Sequence, residues 1–155
     1  MKLKHLVLPL ALFAAAQASA DDVISKQIQV TAYIPTSAFS ILDEGGWMNK
    51  TQQLSLYNGN LQKISNRLIA KSTTGAISAR LENDAVLTSR NNRIPLTITA
   101  NGKDLSTTST EIVPAADAST PYYMTMDIAA ATGPYEPGDY MGFVDVTFET
   151  PLPTP

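Results

Sequence analysis

Residues 28–34 read Ile-Gln-Val-Thr-Ala-Tyr-Ile. Ile28, Val30, Ala32 and Ile34 fall on one side of an extended chain, and Gln29, Thr31 and Tyr33 on the other. A two-residue period built from β-branched residues predicts a half-buried β-strand. Shorter apolar or alternating pieces recur at 40–42, 54–57, 76–81, 94–100 and 122–128. In 76–81 the alternating set is Ile77, Ala79 and Leu81; in 122–128 it is Tyr122, Met124, Met126 and Ile128. Leu68 and Ala70 share a face in the more mixed segment 64–71. The last predicted strand is 140–149, with Gly142, Val144, Val146 and Phe148 alternating against Phe143, Asp145, Thr147 and Glu149.

The punctuation between these pieces agrees with strands. Asn58-Gly59-Asn60 is a turn signal, and Asn101-Gly102 is a hairpin signal, because both central positions of a type I′ turn need positive φ. Residues 103–107 are expected to return after the second of them, Ile112-Val113 forms another short apolar piece, and 133–138 form the turn before the last strand. No segment carries a capped helical pattern; one helical turn is expected near 111–118. Many short strands joined by Gly, Pro and Asn turns predict an all-β fold, an antiparallel sandwich of immunoglobulin-like type. The proline-rich tail 151–155 does not continue a central strand, because proline lacks the ladder donor.

The amino terminus predicts export. Lys2 and Lys4 precede an apolar run from Leu6 to Ala16, and Ala18-Ser19-Ala20 is a small-residue cleavage site. Residues 1–20 therefore read as a signal peptide, with a mature chain starting at Asp21. The apolar run is too short for a membrane span, and no cysteine stands at the cleavage site to carry a lipid. With 155 residues in all, the mature chain has 135, the size of one domain. Removing Lys2 and Lys4 from eleven basic residues leaves nine against fourteen acidic ones, a net charge of −5. That balance argues against nucleic acid and anionic membranes as partners, and no membrane insertion is expected.

The chain has no cysteine, and its single histidine, His5, lies in the signal peptide. Triad and thiol catalysis, zinc sites with nitrogen or sulfur ligands and disulfides are therefore outside its chemistry. The pairs Asp43-Glu44 and Glu82-x-Asp84 are the remaining catalytic or calcium candidates. Both lie in turn-like contexts, and neither has the spacing of a calcium loop. No metal and no cofactor is expected, and the chain does not read as an enzyme. Nine scattered cations give no buried lysine for a Ser-Lys pair. Asn49-Lys50-Thr51 fits a glycosylation acceptor, which carries little meaning in an exported bacterial chain. Trp47 reads as a core or interface anchor, or, with Tyr122 and Tyr123, as a sugar platform.

Three segments occur in an order that resembles one family: Ile28-Gln29-Val30-Thr31-Ala32, then Leu105-Ser106-Thr107-Thr108, then Pro137-Gly138-Asp139-Tyr140-Met141-Gly142-Phe143-Val144. Together they resemble the major subunits (pilins) of colonization-factor-type fimbriae, the alpha or class 5 branch of the chaperone–usher pathway. The resemblance covers the mature chain in length and order. It implies an incomplete immunoglobulin-like sandwich, completed by a donor strand from a neighbouring subunit. A periplasmic chaperone lends a strand in transit, and an outer-membrane usher exchanges it for the amino-terminal extension of the next subunit.

On that resemblance, residues 21–35 are the donor extension and 36–155 the pilin domain. Ile28, Val30, Ala32 and Ile34 are the side chains that fill a neighbour's groove, each Ile or Val worth roughly 1.5–3 kcal/mol when buried. Pro35 ends the donor strand, and the Ile34–Pro35 bond is a place where a cis form would set the angle between subunits. Val144, Val146 and Phe148 are expected to line the acceptor groove. The implied partners are identical subunits, the chaperone, the usher and a tip adhesin, and the implied location is the bacterial surface. Two other readings stand beside this one. One is a self-complete secreted module that binds carbohydrate or protein through Trp47 and the tyrosines; the other is a small hydrolase using Asp43, Glu44, Glu82 and Asp84.

Overall fold

The computed structural model describes residues 38–151. The predicted signal peptide 1–20, the strand at 28–34, Pro35 and the tail beyond residue 151 lie outside the described residues. Eleven strands form within them: β1 Phe39–Asp43, β2 Leu56–Tyr57, β3 Asn60–Leu61, β4 Ile64–Ser72, β5 Ile77–Leu81, β6 Val86–Ser89, β7 Asn92–Ala100, β8 Lys103–Asp104, β9 Thr110–Val113, β10 Tyr122–Ala130 and β11 Val146–Glu149. One helical turn, α1 Ala115–Ala118, falls inside the expected window 111–118.

The strands make two main antiparallel sheets. The first runs β1-β4-β10-β7-β6, with β8 also on β7; the second runs β11-β5-β9. β2 and β3 form a separate hairpin. Alternation decides which residues face between the sheets. Leu68, Ala70 and Ser72 of β4, Met124 and Met126 of β10, and Ile98 and Ala100 of β7 are buried from one side. Ile77, Ala79 and Leu81 of β5, with Ile112 and Val113 of β9, are buried from the other. Apart from Ser72 they belong to one apolar core, as a sandwich requires.

Local chemistry sets the connections. Asn101 and Gly102 have φ of 51° and 73°, as a type I′ turn demands, and β8 folds back on β7. The Asn101 side chain also donates to the Ile112 carbonyl at 2.6 Å, which ties this turn to the second sheet. Pro95 stands where β7 changes partner, from β6 over Asn92–Pro95 to β10 over Leu96–Ala100. Ser72 is the one buried polar side chain among the described residues; its hydroxyl lies 2.6 Å from that of Thr150 and 3.2 Å from that of Thr74. This hydroxyl cluster fastens the end of β11 to the end of β4.

The expected strand 140–149 is shorter than its alternation suggests. Only Val146–Glu149 forms a strand. Met141 makes an isolated bridge to Thr88 of β6 in the first sheet, whereas β11 pairs with β5 in the second. Residues 141–145 therefore cross between sheets and have no continuous neighbour to pair with. The expected pieces 54–57 and 103–107 are also trimmed, to the two-residue strands β2 and β8, because only those residues find antiparallel partners.

Candidate functional site

β11 pairs through one edge only. Val146, Thr147, Phe148 and Glu149 lie opposite Leu81, Arg80, Ala79 and Ser78 of β5. Among the described residues no strand pairs with its other edge. Beside that edge the two sheets hold an apolar groove of about 600 Å³. Val144, Val146 and Phe148 line one wall, while Ile64 of β4, Ile128 of β10, Leu96 of β7 and Leu87 of β6 line the facing one. All seven side chains are half-buried. They touch the core on one side and remain open on the other, so apolar surface is left for something else to cover.

Trp47 lies at the groove, and the sequence before it explains its placement. Gly45 and Gly46 have φ of 83° and 68°, left-handed values that turn the chain sharply after β1. The Asp43 carboxylate accepts the Met48 amide at 2.8 Å and holds the turn closed. The indole N–H then donates to the Arg67 carbonyl at 2.9 Å. The Trp47 carbonyl accepts from the Lys50 amide at 3.0 Å and from the Gln52 side chain at 2.9 Å. With its polar atoms engaged, the ring presents apolar surface to the groove.

The other sequence candidates are dispersed. Glu44 lies 3.6 Å from Arg67, both side chains exposed. Glu82 accepts from the Thr147 hydroxyl and lies 3.0 Å from Arg80; these bonds hold its carboxyl below the usual range, the Thr147 bond most strongly. Asp84 is exposed. Among the described residues no three His, Cys, Asp or Glu side chains come together as a metal site. The sugar-platform reading of Trp47 with Tyr122 and Tyr123 loses its geometry. Tyr122 packs against the core and Tyr123 stands on the outer face of the first sheet, 69% exposed.

Sequence reading named one wall of the groove and missed the other. Ile64, Leu87, Leu96 and Ile128 sit in alternating segments, which marks them as inward-facing. Nothing in those segments says which strands become neighbours or where the covering sheet stops.

The family described as CS1 type fimbrial major subunit matches residues 24–149. No curated protein matches the chain. Among solved structures the chain is similar to the CooA pilin subunit from enterotoxigenic Escherichia coli. The two are 22% identical, the match covers 58% of this chain and 70% of that one, and the TM-score is 0.51. At that identity the likeness is one of fold, the immunoglobulin-like β-sandwich described above.

Proposed function

This chain belongs to the family of CS1 type fimbrial major subunits, and from that premise we propose that it polymerises by lending its amino-terminal strand to a neighbour. A subunit of this family is a structural pilin that joins identical copies in a surface fimbria. The observation that carries the finer reading is the unpaired edge of β11 beside an apolar groove. An added strand gains main-chain hydrogen bonds along that edge, and its alternate side chains enter the groove. Val144, Val146 and Phe148 are then the acceptor wall.

The donor is the segment 21–35 of the next copy, freed at Asp21 when the signal peptide 1–20 is removed. Ile28, Val30, Ala32 and Ile34 supply side chains at the two-residue spacing that an edge-bound strand presents. Pro35 stops the pairing where the strand meets the 36–155 domain, because it has no N–H to give. Before assembly the same groove needs a stand-in, the role of a periplasmic chaperone. The usher exchanges that stand-in for the donor, and a tip adhesin receives the first one. The assembled fimbria serves adhesion.

The test is Val30→Asp in cells that assemble the fimbria. A buried, unpaired carboxylate in the groove is strongly unfavourable. The variant should accumulate as a subunit but lose the detergent-resistant ladder of polymers. A ladder of wild-type length in Val30→Asp would overturn the strand-lending reading.

A further inference from the structure

Two surfaces away from the groove's interior carry apolar side chains between like charges, and the charges are of opposite sign. The first is on the outer face of the first sheet. Register sets Leu42 opposite Ile69, and Ile69 opposite Tyr123. Leu42 is 54% exposed and Tyr123 69%. Arg67 and Lys71 stand two residues to either side of Ile69 on β4, hence on the same face. Among the described residues Lys71 has no carboxylate within 4.0 Å, and Arg67 has only the exposed Glu44 at 3.6 Å. This is an apolar row with cationic margins.

The second surface is the segment that crosses between the sheets. Asp139, Met141, Phe143 and Asp145 alternate with the half-buried Tyr140, Val144 and Val146 and are exposed. Met141 and Phe143 reach the rim of the groove, yet they are 73% and 86% exposed, and Phe143 is the most exposed large apolar side chain described. Neither Asp139 nor Asp145 has a cation within 4.0 Å among the described residues. The contact proposed below takes a strand added along β11 to fill the inward positions beside Val144, Val146 and Phe148 and to leave the exposed sides of Met141 and Phe143 free. This is an apolar row with anionic margins.

We propose that the Asp139–Asp145 row of one copy docks on the Leu42–Ile69–Tyr123 face of another copy of this chain. Opposite margins select and orient the contact, and the apolar centres supply the buried area. The two surfaces differ, so the contact is heterologous, the kind that repeats from copy to copy in an open filament, and not the self-complementary kind that closes a dimer. The inference rests on membership in the fimbrial family, and not on the strand-lending route.

Charge reversal tests it. Filaments are prepared with Arg67→Glu plus Lys71→Glu, with Asp139→Lys plus Asp145→Lys, and with all four changes. Their dissociation on warming at low salt is followed by sedimentation. Each double change should speed dissociation by about tenfold, since reversal replaces two attractions with two repulsions, and the fourfold change should return it to within about twofold of wild type. If a double change prevents filaments altogether, their recovery in the fourfold variant carries the same meaning. Unchanged rates, or losses that add up in the fourfold variant, overturn the proposal and leave these rows to a partner other than this chain. The detergent-resistant ladder reports strand lending separately: its absence from wild-type filaments would count against that route and not against this contact.

Discussion

The two ends of the sandwich are built from the same strands and end up different. Toward one end β4 and β10 contribute Leu68 and Met124 to an interior closed by Ile77 of β5 and Ile112 of β9; these side chains are at most 5% exposed. Toward the other end the same two strands contribute Ile64 and Ile128, which with Leu96 of β7 face β11 and stay half-buried. Register makes the contrast plain: Leu68 lies opposite Met124, and four residues back Ile64 lies opposite Ile128. Side-chain type and alternation are alike in both places. What differs is what stands opposite: β5 and β9 at the closed end, and the single strand β11 with one unpaired edge at the open one. An inward-facing residue is therefore not the same as a buried one.

Paired truncations give the sharpest test of that contrast. Ile77→Ala in the closed end should cost the isolated subunit about 2–5 kcal/mol, the range for a large-to-small change in a sealed core. Val146→Ala in the open end should cost about 1 kcal/mol or less, because that side chain is only partly enclosed. Chemical denaturation of both variants measures the difference. Equal losses would mean that the open end is as tightly packed as the closed one.

A smaller effect probes the crossing that frames the open end. A Cβ on Gly142 would lie 2.2 Å from the Val86 carbonyl oxygen, a backbone atom that has no side-chain freedom to yield. Gly142→Ala should destabilise by about 1–3 kcal/mol as the crossing is pushed off β6. Hydrogen exchange at the Thr88 and Met141 amides, which bond each other's carbonyls at 2.8 and 3.0 Å, should rise in that variant. Unchanged protection there would show that the crossing does not depend on this close approach.

The least effect belongs to a surface pair on the outer face. Asp127 accepts from Lys63 at 2.8 Å and from Ser65 at 2.6 Å, and these bonds, Lys63 first, hold its carboxyl below the ordinary value of 3.8. A carboxyl lowered in the folded state adds stability above its unfolded value, and that stability is lost as pH falls through the folded one. Asp127→Asn should therefore lower stability slightly at neutral pH, by about 0.5 kcal/mol, and flatten the loss below pH 3.8. Unfolding midpoints measured across the acid range give the comparison. A variant that tracks wild type throughout would remove the pair from the account.

Much of the fold is legible in the chain. Ile77, Ala79 and Leu81 alternate and are buried, Asn101-Gly102 makes its turn, and the Tyr122–Ile128 face packs on the core as the period requires. Val144, Val146 and Phe148 are legible as one face for the same reason. What alternation does not carry is pairing. It extends the last strand back to Tyr140, although residues 141–145 cross from one sheet to the other. It also gives no sign that Ile64, Leu96 and Ile128 form the opposite wall. Those positions depend on which strands become neighbours, a property of contacts far apart in sequence. Trp47 is intermediate: the Gly-Gly turn announces that the chain reverses, but the bond to the Arg67 carbonyl that fixes the ring depends on β4.

The central claim is that the open end is completed by the strand of another copy. The direct measurement is the melting temperature of a chain beginning at Thr36, alone and with a peptide spanning residues 21–35. The account predicts a poorly stable domain that gains a large increase in melting temperature with the peptide, and a smaller gain when Val30 of the peptide is replaced by Asp. A domain that is already stable and melts at the same temperature with or without the peptide would contradict it, and would make the sandwich self-sufficient.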